Sequence, residues 1–432
     1  MESLGASSDR LRILHCSWEY PPIVYGGLGR HVDALTRAQV SAGHEVTVLT
    51  QSPEPSDRTV SGVRVIGRPP DAPHVPLDPE HLIAWSSGFN SALIRSGLHL
   101  LGSWRPDIVH GHDWLVAHAC TALSEQAAAP YVTTMHATEA GRHQGWLPSS
   151  LSRSIHSIEW WSVDEADRVI TCSAHMRQEV STLFGTPPER ISVIANGVDP
   201  VDWHALQARR RADRHAQGRP LVVFAGRLEW EKGVHTLIDA MGAVRKSHPQ
   251  AHLVIAGRGS TEQKLREQVR ARRLARTVTF AGWVPAEDLQ RLVACADAAV
   301  VPSIYEPFGL VALEAASVGA PLVVARTGGL TEVVQDPQTG WTFTPGDAGE
   351  LASCVVEALS DPRAARLRAR RARARLARDF GWPTVAERTI AEYRRVLGEP
   401  DRASSRASSR ASRRRPSYLV TPAGNLLTGA LS

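Results

Sequence analysis

Short β-branched runs alternate with longer helical patterns along this chain, and the whole series is run through twice. In the first half the candidate strands are Leu11 to Cys16, Glu45 to Leu49, Gly62 to Ile66, Asp107 to His110, Tyr131 to Thr134, Arg168 to Thr171 and Ile191 to Ile194. Helical stretches such as Leu28 to Ser41, His81 to Leu101 and Ser149 to Glu165 lie between them. This alternation is the signature of parallel sheets with crossover helices, which sets the class as α/β. After a polar, Arg-rich, strand-poor stretch from Ala205 to Gly218, a second series opens at Pro220 to Ala225. It continues through His252 to Ala256, Val278 to Phe280, Ala298 to Val301 and Pro321 to Val324. Two doubly wound Rossmann-like domains are therefore expected, at residues 1–200 and 219–380, facing across a cleft. Ligands of such sheets bind outside the carboxyl ends of the strands, so the cleft is where chemistry is expected. Residues 381–398 read as a return helix with Trp382, Val385, Ile390, Tyr393 and Leu397 as its apolar positions.

Composition removes several function classes. No run approaches the 18 or so uncharged apolar residues of a membrane span, and the first ten residues are polar, so neither secretion nor membrane spanning is expected. The five cysteines (Cys16, Cys120, Cys172, Cys295, Cys354) are scattered without a C-x-x-C pair, which fits a reducing cytoplasm. The formal net charge of +5 lies in the tail, where six arginines between Arg402 and Arg415 face the single acid Asp401. The rest of the chain is neutral overall, so basicity gives no reason to expect nucleic acid as a partner. The tail itself, residues 399–432, repeats Arg-Ala-Ser-Ser with too little apolar content to fold and reads as disordered. Arg363 to Arg378 holds eight arginines among Ala and Leu, read either as a solvated helix or as a contact for an anionic surface.

The most informative constellation is Ser303-Ile304-Tyr305-Glu306-Pro307-Phe308-Gly309-Leu310-Val311-Ala312-Leu313-Glu314. Pro302 and Pro307 keep Ser303 to Glu306 out of a helix, and Gly309 allows close backbone approach where the helical run begins. A helix N-terminus results, whose free N–H groups and partial positive charge suit a diphosphate. Glu306 falls on the loop before that helix and Glu314 one to two turns inside it. A second feature, Gly226-Arg227-Leu228-Glu229-Trp230-Glu231-Lys232-Gly233, puts Arg227 at a strand end and Lys232 just before the next helix. Both cations can then address one anion, with surface pairing to Glu229 or Glu231 as the alternative.

In the first half, a glycine-rich loop with Trp18, Glu19, Gly26 and Gly27 separates the first strand from the first helix. Two histidine-bearing segments, His110-Gly111-His112-Asp113-Trp114 and Thr134-Met135-His136-Ala137-Thr138-Glu139, each follow a strand. Such Asp/His pairs also suggest a metal, but no further segment shows ligand spacing, so none is assigned. Of the twelve tryptophans, Trp18, Trp114, Trp146, Trp160 and Trp161 are candidates for lining the ligand cleft, with core packing as the alternative.

Taken together these motifs resemble the retaining family 4 glycosyltransferases of GT-B fold, which include glycogen synthases, over roughly residues 11–398. The resemblance implies that Arg227 and Lys232 are diphosphate ligands, Glu314 the ribose-binding acid and Glu306 the acid beside the donor sugar. It implies that Phe308, Gly309 and Leu310 bring backbone donors to the phosphates, and that Gly26 and Gly27 belong to a donor- and acceptor-facing loop. His136 becomes a donor-sugar contact near the reacting carbon, and Asp113 a contact to a sugar hydroxyl or acceptor. Glu19, Trp18 and Trp146 become acceptor candidates. Glycogen synthases commonly carry Lys-x-Gly-Gly, whereas Val24-Tyr25 precedes Gly26 here, so the phosphate contact of that lysine is not carried over. The segment running on through Gln144-Gly145-Trp146 is similar to actinobacterial α-1,4-glucosyltransferases.

The implied reaction is transfer of glucose from ADP- or UDP-glucose to the 4-hydroxyl of an α-glucan or glucosylated acceptor, with retention and without a metal cofactor. Domain closure would keep water from the donor. Three other readings stand beside it: a lipid-acceptor family 4 mannosyltransferase touching the membrane through the Arg363 to Arg378 helix, a module that binds a nucleotide sugar without turning it over, and a nucleotide-sugar 2-epimerase.

Overall fold

The computed structural model describes residues 10–199 and 218–398, together with the two-residue strands Leu419–Val420 and Leu426–Leu427, which pair antiparallel. The domain boundary expected at Ala205 to Gly218 and most of the Arg/Ser-rich tail lie outside the described residues. The chain divides into two compact units, residues 1–197 with 382–432, and residues 198–381.

The first unit carries eight strands: β1 (Arg12–Cys16), β2 (Glu45–Gln51), β3 (Ser56–Val60), β4 (Val63–Arg68), β5 (Ile108–His112), β6 (Tyr131–Met135), β7 (Arg168–Thr171) and β8 (Ile191–Val193). They form one sheet in the order β3-β4-β2-β1-β5-β6-β7-β8, parallel except where β3 runs against β4. The central strands are buried on both faces, as parallel strands covered by helices must be. β3 is the strand the sequence did not announce, because its Ser-Asp-Arg-Thr-Val run lies exposed at the edge and lacks an apolar face.

Register within this sheet has a consequence for chemistry. His15 on β1 is the direct partner of His110 on β5, and His112, two residues on, points to the same side as His110. Helix Gly27–Ser41 supplies His31 and Gln39 beside them. The C-terminal helix Trp382–Gly398 closes the group, burying Trp382, Ile390 and Tyr393 in the same core as Ile13, Val32 and Leu35. The return helix thus belongs to the first unit. Gly197 permits this, since a Cβ there would lie 2.5 Å from the Trp382 ring.

The second unit is a six-stranded, all-parallel sheet in the order β11-β10-β9-β12-β13-β14. Its strands are β9 (Leu221–Ala225), β10 (His252–Ala256), β11 (Val278–Gly282), β12 (Ala298–Val301), β13 (Leu322–Ala325) and the three-residue β14 (Trp341–Phe343). Both units are Rossmann-like. The order reverses direction at β9 and β12, so the loops leaving those two strands flank the topological switch point. Val198, where the chain enters this unit, pairs with Gly381, where it leaves, and the Val198 N–H donates to Phe380 O at 2.9 Å.

Three arginines of helix Pro362–Asp379 are engaged within its own unit. Arg368 lies over the Trp341 ring, 3.9 Å from its centroid. Arg373 and Arg375 donate to the carbonyls of Ser317 and Val333 at 3.2 and 3.1 Å. These three hold the helix onto its own unit, while Arg363, Arg366, Arg370 and Arg371 are exposed. All five cysteines are free thiols. No described helix is long and apolar enough to cross a membrane.

Candidate active site

In the second unit the site is assembled from loops that pack backbone against backbone. The loop after β9 ends in a turn, Trp230–Lys232, and Gly233 at φ 66° then starts helix Val234–Ser247. A Cβ on Gly233 would lie 1.9 Å from the Pro302 carbonyl, so only glycine lets this turn lie against the loop after β12. The amide of Ile304 donates to Glu231 O at 2.8 Å and fixes the two loops together. Lys232 is delivered onto Glu306, with Nζ 2.8 Å from Oε2 and both side chains mostly buried. Ser303 Oγ donates to the same carboxylate oxygen at 3.1 Å. Ser303 opens that motif in the sequence but has no role assigned there, and its spacing of three residues from Glu306 is the signal for this contact.

Glu306 is itself anchored through its carbonyl, which accepts the Gly329 amide at 3.1 Å. A Cβ on Gly328 would lie 1.9 Å from that carbonyl. Gly309, at φ 108°, caps helix Leu310–Ser317. The first-turn amides of a helix have no acceptor within it and gather partial positive charge at that end. Glu314 is the fifth residue of that helix. Phe308 is buried with its ring 6.0 Å from that of Phe380, so backbone is what it can offer a ligand. Arg227 is half exposed and pairs with Glu231 at 3.1 Å, the surface partnership named above as its alternative.

In the first unit the glycine loop already holds a carboxylate. Glu19, 3% exposed, accepts the amides of Tyr25 and Gly26 on Oε2 at 2.8 and 2.9 Å. Burial pushes its pKa up, and the loop amides only partly offset this. The helix N-terminus at Gly26 and Gly27 is thus occupied from within. Trp18 stacks on the exposed Tyr25 with ring centroids 5.2 Å apart, whereas Trp114 is core. Trp146 is exposed, and Trp161 stacks on His118.

Asp113 follows β5 with φ 59° and ψ 177°, a conformation in which residues other than glycine are strained by roughly 1–3 kcal/mol. Its carboxylate accepts the His136 amide at 2.7 Å, and its own amide donates to Thr134 O at 3.0 Å. The strained residue therefore sets the backbone that presents His136. Around that ring the sheet gathers histidines that sequence spacing could not bring together. His112 Nδ1 lies 3.3 Å from His136 Nε2, and His15 Nδ1 lies 3.0 Å from His112 Nε2. His31 meets the His136 ring edge-on at 4.9 Å between centroids. Desolvation lowers the pKa of all of them, to about 4 for His15, and His136 is drawn back up in part by Asp113.

Two triplets, His15 with His110 and His112 and His31 with His112 and His136, bring their ring nitrogens within 4.8 Å. Segment spacing thus gave an incomplete ground for assigning no metal, since β1 and helix Gly27–Ser41 contribute the missing histidines. In the first triplet the nitrogens are engaged: His110 with Tyr393 and Thr134, His15 with Gln39 and His112.

Residues 25–202 match the family model described as Glycosyltransferase Family 4, and residues 207–375 the one described as Glycosyl transferases group 1. A glycogen synthase of Mycobacterium tuberculosis (strain H37Rv) is 48% identical over 396 residues, covering 89% of this chain and 94% of that protein. Sucrose-phosphate synthase from Thermosynechococcus elongatus has the same architecture, with a TM-score of 0.76 at 27% identity over 90% of this chain and 99% of that one. The catalytic domain of starch synthase IV from Arabidopsis thaliana, bound to ADP and acarbose, shares the fold with a TM-score of 0.72 at 20% identity, over 90% and 100% of the two chains. Matched along both halves and on both sheets, the chain belongs to the family 4 glycosyltransferases of GT-B fold and is a hexosyltransferase.

Proposed function

We propose that this enzyme moves glucose from ADP- or UDP-glucose to the 4-hydroxyl of an α-glucan or glucosylated acceptor, with retention of configuration and no metal cofactor. The observation that carries the reading is the Lys232–Glu306 ion pair, fixed at 2.8 Å on the loop that leads to the Gly309-capped helix. The 48% identity to a protein described as glycogen synthase supports glucose and a glucan over other hexoses and acceptors.

In this reaction the bond from the anomeric carbon to the diphosphate oxygen breaks while the acceptor oxygen bonds to that carbon on the same face. The acceptor proton passes to the departing phosphate. Lys232, Arg227 on release from Glu231, and the amides at Gly309 and Leu310 hold the charge that develops on the diphosphate. Glu314 binds the ribose and Glu306 lies beside the donor sugar. His136 contacts that sugar and Asp113 a sugar hydroxyl. Trp18 and Trp146 are the acceptor contacts, and Glu19 is assigned to shaping the glycine loop.

A donor panel of ADP- and UDP-hexoses with a short maltooligosaccharide, reading nucleotide release and product anomer together, tests this. The expected result is α-1,4-linked product from a glucose donor. Nucleotide release without glucan extension would refute the acceptor. The exposed Arg363, Arg366, Arg370 and Arg371 favour a lipid acceptor as second reading. Co-sedimentation with anionic liposomes, lost on neutralising these four, would support it.

A further inference from the structure

Four histidines of the first unit, His110, His15, His112 and His136, form one continuous hydrogen-bonded chain with Thr134, Tyr393 and Gln39. Thr134 Oγ1 lies 2.7 Å from His110 Nε2, and His110 Nδ1 lies 2.5 Å from the Tyr393 hydroxyl. Gln39 Nε2 donates to that hydroxyl at 3.3 Å, and Gln39 Oε1 lies 2.8 Å from His15 Nε2. His15 then meets His112 at 3.0 Å, and His112 meets His136 at 3.3 Å. Thr134, His110, Tyr393, Gln39, His15 and His112 are all buried, and His136 alone keeps part of its surface exposed.

Such a chain has a direction. A neutral imidazole has one N–H and one lone pair, so the role of one nitrogen fixes the other. The Gln39 carbonyl can only accept, so His15 carries its proton on Nε2 and presents a lone pair at Nδ1. His112 must then donate from Nε2, which leaves its Nδ1 to accept from His136 Nε2–H. The choice made at Gln39 is passed through two imidazoles to a third.

We propose that Gln39, His15 and His112 are positioning residues that fix the tautomer of His136, with the proton on Nε2 and the Nδ1 lone pair left to accept a hydrogen bond from a ligand hydroxyl. The other arm of the chain, through Tyr393 and His110, holds the amide of Gln39 in the required orientation. This ties the state of His136 to a residue of the C-terminal helix. The link to catalysis rests on the proposed role of His136 as a donor-sugar contact, whereas the tautomer itself does not.

The test is 15N NMR of the full-length, ligand-free protein with labelled histidine, in which protonated and lone-pair ring nitrogens resonate far apart. In the unsubstituted protein His136 is expected to show a protonated Nε2 and a lone pair at Nδ1, unchanged by a chelator. Gln39→Glu keeps an acceptor and should keep this pattern. Gln39→Leu removes the acceptor, and the His136 proton should shift toward Nδ1, with glucosyl transfer falling about tenfold or more in kcat. A His136 protonated on Nδ1 in the unsubstituted protein overturns the proposal, whether or not the variants fold. So does a Gln39→Leu variant that folds and leaves the His136 pattern unaltered, or a chelator that alters the His112 and His136 signals. A shifted tautomer with unchanged transfer supports the chain and counts against His136 as a donor contact.

Discussion

At the scale of single residues, strain and burial single out the groups whose conformations the fold alone does not require. Asp113 sits where glycine would be at ease, and its carboxylate holds the His136 amide. Two effects compete on replacing it. Asp113→Gly relieves the backbone but loses the hydrogen bond, whereas Asp113→Ala keeps the strain and loses the bond as well. The glycine variant should therefore be the more stable of the two by about 1–2 kcal/mol, as read from urea unfolding. Both should transfer glucose poorly, because neither holds His136. Equal stabilities would show that the φ 59° conformation is not strained. Asp113 was legible as a candidate from its place after a strand, but its strain was not, since backbone angles leave no trace in residue type unless the residue is glycine.

At the scale of elements, the ion pair exists because two loops approach without side chains between them. Gly233→Ala places a Cβ 1.9 Å from the Pro302 carbonyl and at a left-handed φ, so the turn must move as a whole. A loss of about 2–4 kcal/mol in unfolding free energy is expected, together with loss of transfer, because Lys232 and Glu306 ride on the two loops being parted. A variant of unaltered stability and rate would show that the close approach is unnecessary. Most strands and the main helices were legible from period and composition, since buried parallel strands are apolar runs of distinctive length. The edge strand β3 and the short β14 were not, because an exposed or three-residue strand carries no pattern of its own. The motif around Glu306 was legible because proline and glycine mark the loop on both sides. Its pairing with Lys232 is set by which strands lie adjacent, a property of topology.

At the scale of the molecule, neutral buried histidines make stability depend on pH. In the unfolded chain His15 gains a proton near pH 6.5, while in the folded state it does so only at about 4. Acid therefore favours the unfolded chain, and stability falls as the pH drops from 6.5 toward 4, by about 3 kcal/mol from His15 alone. His31, His110 and His112 shift the same way. Glu19 and Glu159, whose pKa values burial raises, oppose the trend by taking protons in the folded state first. Urea midpoints should fall from pH 7 to pH 4.5, and a flat profile would show that the buried histidines do not outweigh the two glutamates. None of this was legible in the sequence. Residues 15, 31, 110, 112, 136 and 393 meet only because β1 pairs with β5 in register and the final helix returns to the first sheet.

In the proposed reaction Lys232 meets the negative charge of the departing diphosphate. Single-turnover transfer from saturating donor to maltooligosaccharide, comparing the unsubstituted enzyme with Lys232→Ala, tests that most directly. A rate lower by about 100- to 1000-fold with the fold intact is the predicted result. An unchanged rate would contradict that role, since the ammonium beside Glu306 would then have no part in the step.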